Sequence, residues 1–129
     1  MKKYLFFLTL FSSIFTLPYQ SSAQETFANF EVLNRVLLVN YAESIDQNVK
    51  MEILKLYKGM RKKVDGLEWV HVADLKESSQ GFDQAITFTF ASVAGYELFE
   101  KHPDHKRIQE LSSGNIKDVE SYEYWEKIE

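Results

Sequence analysis

The sequence predicts an α+β domain with the ferredoxin-like order strand, helix, strand, strand, helix, strand. Three observations carry this reading. Four β-rich, largely apolar stretches lie at 33–41, 67–75, 83–91 and 119–125. Between the first two, apolar residues recur at steps of four and three, the period of an amphipathic helix. Between the last two lies a second helical stretch, broken by one proline. That succession is the split βαβ arrangement.

The first strand is Leu33 to Tyr41 (LNRVLLVNY). Ser44 and Gln47 then have the spacing of a capping box, with Asp46 as a competing cap. Val49, Ile53, Leu56, Met60 and Val64 mark the apolar stripe of a helix from Asp46 to Val64. Lys58, Arg61, Lys62 and Lys63 crowd its end, where cations suit the helix dipole, and Asp65-Gly66 stops it.

Leu67 to Leu75 (LEWVHVADL) alternates as a second strand, Lys76 to Phe82 is a polar turn, and Asp83 to Ala91 (DQAITFTFA) is a third strand. Ser92 can cap a helix to Lys101, with Val93, Tyr96, Leu98 and Phe99 on its apolar side. His102 precedes Pro103, which disfavours helical geometry at the histidine. Pro103 suits the first turn of a short helix to Ser112. Ser113-Gly114-Asn115 leads into the last strand, Val119 to Trp125.

Ahead of this domain, Lys2 and Lys3 precede an uncharged apolar run, Tyr4 to Leu17. Pro18 and then Ser21-Ser22-Ala23 complete the pattern of a secretory signal peptide over residues 1–23. The apolar run is shorter than the roughly 20 residues that span a bilayer. Cleavage after Ala23 leaves a short lead-in, 24–32, and a domain over 33–129, exported to the periplasm or medium without a stable membrane anchor. The chain has no cysteine, so neither a lipid-modified cysteine nor a disulfide is available. Removing the leader takes away two lysines and no acid, so the net charge moves from −4 to −6. That charge argues against nucleic acid as a partner.

Strand parity gives a further expectation. Val36, Leu38, Val70, Val72, Ile86, Phe88 and Phe90 form one face, to be packed on the helices. Leu37, Val39, Tyr41, Trp69, His71, Ala73, Ala85, Thr87 and Thr89 form the other, which is also mostly apolar. Both helices of this topology lie on one side. The second face then needs cover, most simply the same face of a second copy in a twofold dimer.

These features resemble the stress-responsive A/B barrel (Dabb) family. The resemblance runs from Asn34 to Glu126 and rests on four segments: Arg35 to Tyr41, the Lys-rich end of the first helix with Val64 to Leu67, Thr87 to Ser92, and Tyr96 to Lys106 with its His102-Pro103-Asp104-His105 motif. It implies a homodimeric α+β barrel. In a plant polyketide cyclase branch, a tyrosine and the second histidine of the motif form an acid/base pair without a cofactor. That histidine matches His105 and the tyrosine matches Phe99, which cannot exchange a proton. Tyr96 lies one helical turn earlier.

His105 is thus the candidate general acid or base. His71 beside Trp69, near Tyr41 and Thr87, is a candidate polar contact in an apolar ligand cavity, with Tyr96 and Phe99 as further lining. His102 and His105 do not make a metal pair, because Pro103 breaks the helix between them and no third ligand lies near. No motif for a cofactor or for a serine nucleophile is present. Three roles follow: a barrel binding a small apolar or aromatic molecule, a cofactor-free cyclase or isomerase using His105, and a non-catalytic interaction protein of the cell envelope.

Overall fold

A computed structural model describes residues 30–77 and 81–128. The signal-peptide reading of 1–23 and most of the expected lead-in lie outside the described residues. The compact body is Glu31–Glu126. Its elements are β1 (Glu31–Tyr41), α1 (Gln47–Lys63), β2 (Leu67–Asp74), β3 (Gln84–Phe90), α2 (Val93–Lys101), α3 (Pro103–Ser112) and β4 (Ile116–Lys127). The four strands form one antiparallel sheet in the order β2-β3-β1-β4, the ferredoxin-like arrangement.

The local chemistry explains most boundaries. Asp46, rather than Ser44, caps α1, its carboxylate accepting from the Asn48 amide at 2.7 Å. Ser92 caps α2 by accepting from Gly95 N. His102 caps α3, its Nδ1 accepting from the Asp104 amide at 3.0 Å, with Pro103 in the first turn. Two strands are longer than expected. Glu31 and Val32, assigned to the lead-in from sequence, belong to β1, and β4 begins at Ile116 rather than Val119.

The core lies between the sheet and the three helices. Phe88 is its centre, with ring centroids 5.1 Å from Tyr57 and 4.9 Å from Phe99. Phe90 meets Phe99 at 5.4 Å and Tyr96 at 5.4 Å. Such tilted and edge-on pairs add to what burial alone contributes. From α1 the buried side chains are Ile53, Tyr57 and Met60. Tyr57 was missing from the stripe expected there, whereas Leu56 only packs against the core's margin. On α2, Leu98 and Val93 point to solvent, and Gly95 and Phe99 are buried.

The parity expectation holds for β2 and β3 and fails for β1. β1 and β3 pair Leu33 with Phe90, Arg35 with Phe88, Leu37 with Ile86 and Val39 with Gln84. Each pair joins an odd position to an even one, and partners across a ladder share a face. The odd residues of β1 therefore face the helices. Val36 and Leu38 stand with Ala85, Thr87 and Thr89 on the other face, together with Trp69, His71 and Ala73 of β2. A polar row crosses that face: Thr89 Oγ1 donates to Asn34 at 2.7 Å, and Asn34 Nδ2 to Glu126 at 2.9 Å. Glu126 thus marks the even side of β4, so Tyr122 and Tyr124 share this face by alternation.

Gly95 has a packing role that propensity alone conceals. A Cβ there would sit 3.0 Å from the Gly66 backbone, so α2 and the α1–β2 turn touch main chain to main chain. Gly66 itself holds φ of 86°, which favours glycine. Gly95→Ala is therefore expected to destabilise by about 1–3 kcal/mol, the range for overpacking. Gly59→Ala, in the interior of α1 with open space around it, is expected to stabilise by about 0.5–1 kcal/mol. Urea unfolding of the two variants checks the opposite signs.

Candidate functional site

Odd-numbered β1 residues facing the helices create the feature of most chemical interest. A cavity of about 410 Å³ lies between the β1–β4 half of the sheet and the helices. Its walls are mainly apolar: Leu37 and Val39 from β1, Ile86 from β3, Ile53 from α1, Ile108 from α3, and Ile116 and Val119 from β4. At one end Arg35, Glu100 and His105 come together, and the Tyr41 and Tyr57 side chains also contribute to the lining. An apolar cavity of several hundred Å³ with a few convergent polar groups is the usual make-up of a small-molecule site.

Each polar group has a structural reason for its place. Arg35 sits in mid-strand opposite Phe88, pointing under the helices. A guanidinium there needs partners, since an unpaired charge out of water is very costly. It donates through Nη1 to Glu100, in the last turn of α2, and to the Tyr96 hydroxyl at 2.8 Å. Glu123 of β4 lies 3.9 Å from its Nε. That Nε is buried without a hydrogen-bond partner in the protein, a deficit that typically costs about 1–3 kcal/mol.

His105 is in the first turn of α3, placed by the break at His102-Pro103. Its ring packs edge-on to Phe99 at 5.0 Å, and its Nε2 lies 3.8 Å from Glu100 Oε2. The side chain is only 12% exposed. Burial pushes His105 below its ordinary value of 6.5; Glu100 opposes that and Arg35 adds to it. Burial by itself would raise Glu100. Hydrogen bonds from Tyr96 and Arg35, with the charges of Arg35 and His105, instead hold its carboxyl below the usual range. Tyr41, Tyr57 and Tyr96 are each pushed up to about 12, mainly by burial, so all three are phenols at neutral pH.

The residues singled out from sequence therefore divide. His105, Phe99 and Tyr41 line the cavity. Tyr41 is there because β1 turns its odd side inward, and its hydroxyl donates to Gln84 at 2.7 Å. It is across the sheet from His71 and Trp69, contrary to the expected cluster. Tyr96 does not line the cavity; it holds Arg35 and Glu100 from behind. Trp69, 59% exposed, and His71 lie on the face away from the helices, and Arg61 stacks 3.9 Å over the Trp69 ring. Sequence reasoning missed Arg35, Glu100 and Tyr57. A lone charge in the apolar run of β1 was a signal for Arg35. Tyr57, four residues after Ile53 and three before Met60, had helical spacing. Among the described residues no three His, Asp or Glu side chains converge to hold a metal ion.

Comparison with known proteins agrees with this fold. The family model described as the stress responsive A/B barrel domain matches residues 33–126. Among solved structures, a hydroxynitrile lyase from Passiflora edulis is similar at a TM-score of 0.66 and 16% identity, covering 78% of this chain and 95% of that one. A dimeric ferredoxin-like protein from Thermobifida fusca gives 0.62 and 13%, covering 73% and 90%. A Dabb family protein with a ferredoxin-like fold from Mesorhizobium loti gives 0.61 and 13%, covering 73% and 95%. At these identities the likeness establishes the fold. Among curated proteins, none matches the sequence.

The lowered His105 and Glu100 values set a pH dependence. Each group binds protons more readily in the unfolded chain than in the fold, so both stabilising contributions fade on acidification. The His105 contribution is complete above about 6.5 and falls away below it; that of Glu100 fades below about 4.5. Stability from urea titrations should therefore decline as pH drops from 7 to 5. In His105→Gln that segment should flatten, while the decline below 4.5 persists.

Proposed function

The chain belongs to the stress responsive A/B barrel domain family, and on that premise we propose that it is an exported, homodimeric barrel that binds a small apolar or aromatic molecule. The observation that carries the binding reading is the cavity of about 410 Å³, apolar on its walls and polar at the Arg35, Glu100 and His105 end. The pattern of residues 1–23 supports export.

The sheet face away from the helices supports the dimer. It carries half-buried Val36 and Leu38, and the exposed Trp69, Tyr122 and Tyr124, the last two 47% and 48% exposed. Apolar area of this kind gains free energy when covered, at roughly 25 cal/mol per Å². Relatives described as dimeric ferredoxin-like proteins support the same reading. Leu38→Asp places a charge in the middle of that face. The variant should run as a monomer in light scattering while the wild type runs as a dimer. A monomeric wild type at micromolar concentration contradicts the reading.

A second reading is favoured by one observation. His105 is neutral at neutral pH, borders the cavity and lies 3.8 Å from a carboxylate. That suits a general acid or base acting on a bound molecule without a cofactor, and the likeness to a lyase is compatible with it. In that case His105→Gln loses about 10²–10⁴-fold in turnover, the usual range for this kind of catalysis, and keeps its ligand affinity. Unchanged turnover rules out the acid/base role.

Binding itself is tested by thermal and urea unfolding with a panel of small aromatic compounds. A compound present at a hundredfold over its Kd should stabilise the fold by about 2.7 kcal/mol. Leu37→Phe, which fills the cavity from β1, should abolish that stabilisation and leave the dimer intact. A stabilisation that survives Leu37→Phe unchanged places the ligand elsewhere.

A further inference from the structure

The charge balance of the cavity bears on which molecules it accepts. Among the described residues, Arg35 is the one cationic side chain in its lining and Glu100 the one carboxylate. The two are paired directly. Tyr96 accepts from the same Arg35 nitrogen at 2.8 Å. A second carboxylate, Glu123, approaches Arg35 from β4 at 3.9 Å. The other titratable groups in the lining are His105, Tyr41 and Tyr57, all neutral near pH 7. The polar end therefore has no positive charge left over, despite its arginine.

We propose that this cavity selects uncharged molecules with a carbonyl, amide or hydroxyl oxygen over carboxylates of the same shape, because Glu100 already occupies the arginine that would otherwise take an acid. The proposal rests on the reading of the cavity as a binding site and deepens it. An entering carboxylate loses its water and must either displace Glu100 or sit beside it. The first leaves the partly exposed Glu100 without its partner beside the incoming acid, and the second places two like charges together. An uncharged oxygen meets neither obstacle. Gln109, Ser112 and Ser113 of the lining are uncharged polar residues that suit it. The Tyr57 hydroxyl and the neutral His105 ring offer further hydrogen bonds in the same lining.

The test uses two probes of nearly identical shape, 4-butylbenzamide and 4-butylbenzoate, titrated calorimetrically into the purified protein at pH 7.5. The amide is expected to bind at least about tenfold more tightly, a difference of about 1.4 kcal/mol. In Glu100→Gln, which keeps the side chain's size and removes its charge, Arg35 is released. The benzoate should then gain at least about tenfold while the amide changes little. Benzoate binding as well as or better than the amide in the wild-type protein overturns the proposal and leaves the cavity as a site. Should Glu100→Gln fail to fold, the wild-type comparison alone still decides. No binding of either probe to either protein overturns the cavity reading, and this proposal with it.

Discussion

Seven antiparallel pairs, from Leu33 opposite Phe90 to Val39 opposite Gln84, hold β1 against β3. Because side chains alternate along a strand, moving this register by one residue would exchange the two faces of β1. The observed register turns Leu33, Arg35, Leu37, Val39 and Tyr41 toward the helices. It thereby sets the composition of the cavity wall, the position of its cation and the identity of the opposite face. Phe88 and Phe90 lock it from the β3 side, since both are fully buried among α1 and α2 aromatics and have no alternative place in water.

An arginine under the helices is the main consequence. The fold answers it with Glu100 and Tyr96 from α2, so one helix both closes the core and neutralises the strand. Phe99, between them in sequence, packs Phe88 and supports the His105 ring. The break at Pro103 then restarts the chain as α3 and lets His105 border the same cavity. Lys63, at the end of α1, reaches Asp104 at 2.8 Å, tying α3 to α1 at the surface. That exposed pair is worth little by itself, but it marks how closely the three helices converge over the polar end. Charge compensation and cavity formation thus come from one set of contacts.

Much of this was legible in the sequence. Element order follows from periodicity, and caps from Asp46, Ser92 and the His102-Pro103 junction. The presence of His105 and Phe99 at one site follows from the resemblance. The face of β1 was not legible, for a physical reason. Val36 and Leu38 on one side and Leu37 and Val39 on the other are equally apolar, so composition does not distinguish them. Only pairing with β3 does, and pairing is a long-range property. Arg35 was the one asymmetric residue, yet a charged residue on a strand reads as solvent-facing until its partner is known. That partner, Glu100, is on an element far away in sequence. Tyr41 is grouped with Trp69 and His71 by the same mistaken parity of β1, which explains why it alone separates from them.

A crystal structure of the protein grown with a bound aromatic amide tests the central claim, that the β1 register creates a ligand cavity between sheet and helices. The expected result is ligand density bounded by Leu37, Tyr57 and His105, with its oxygen toward Arg35. A second copy should then lie against Val36 and Leu38. Ligand density on the Trp69 and His71 face, or Leu37 turned away from the helices, would contradict it.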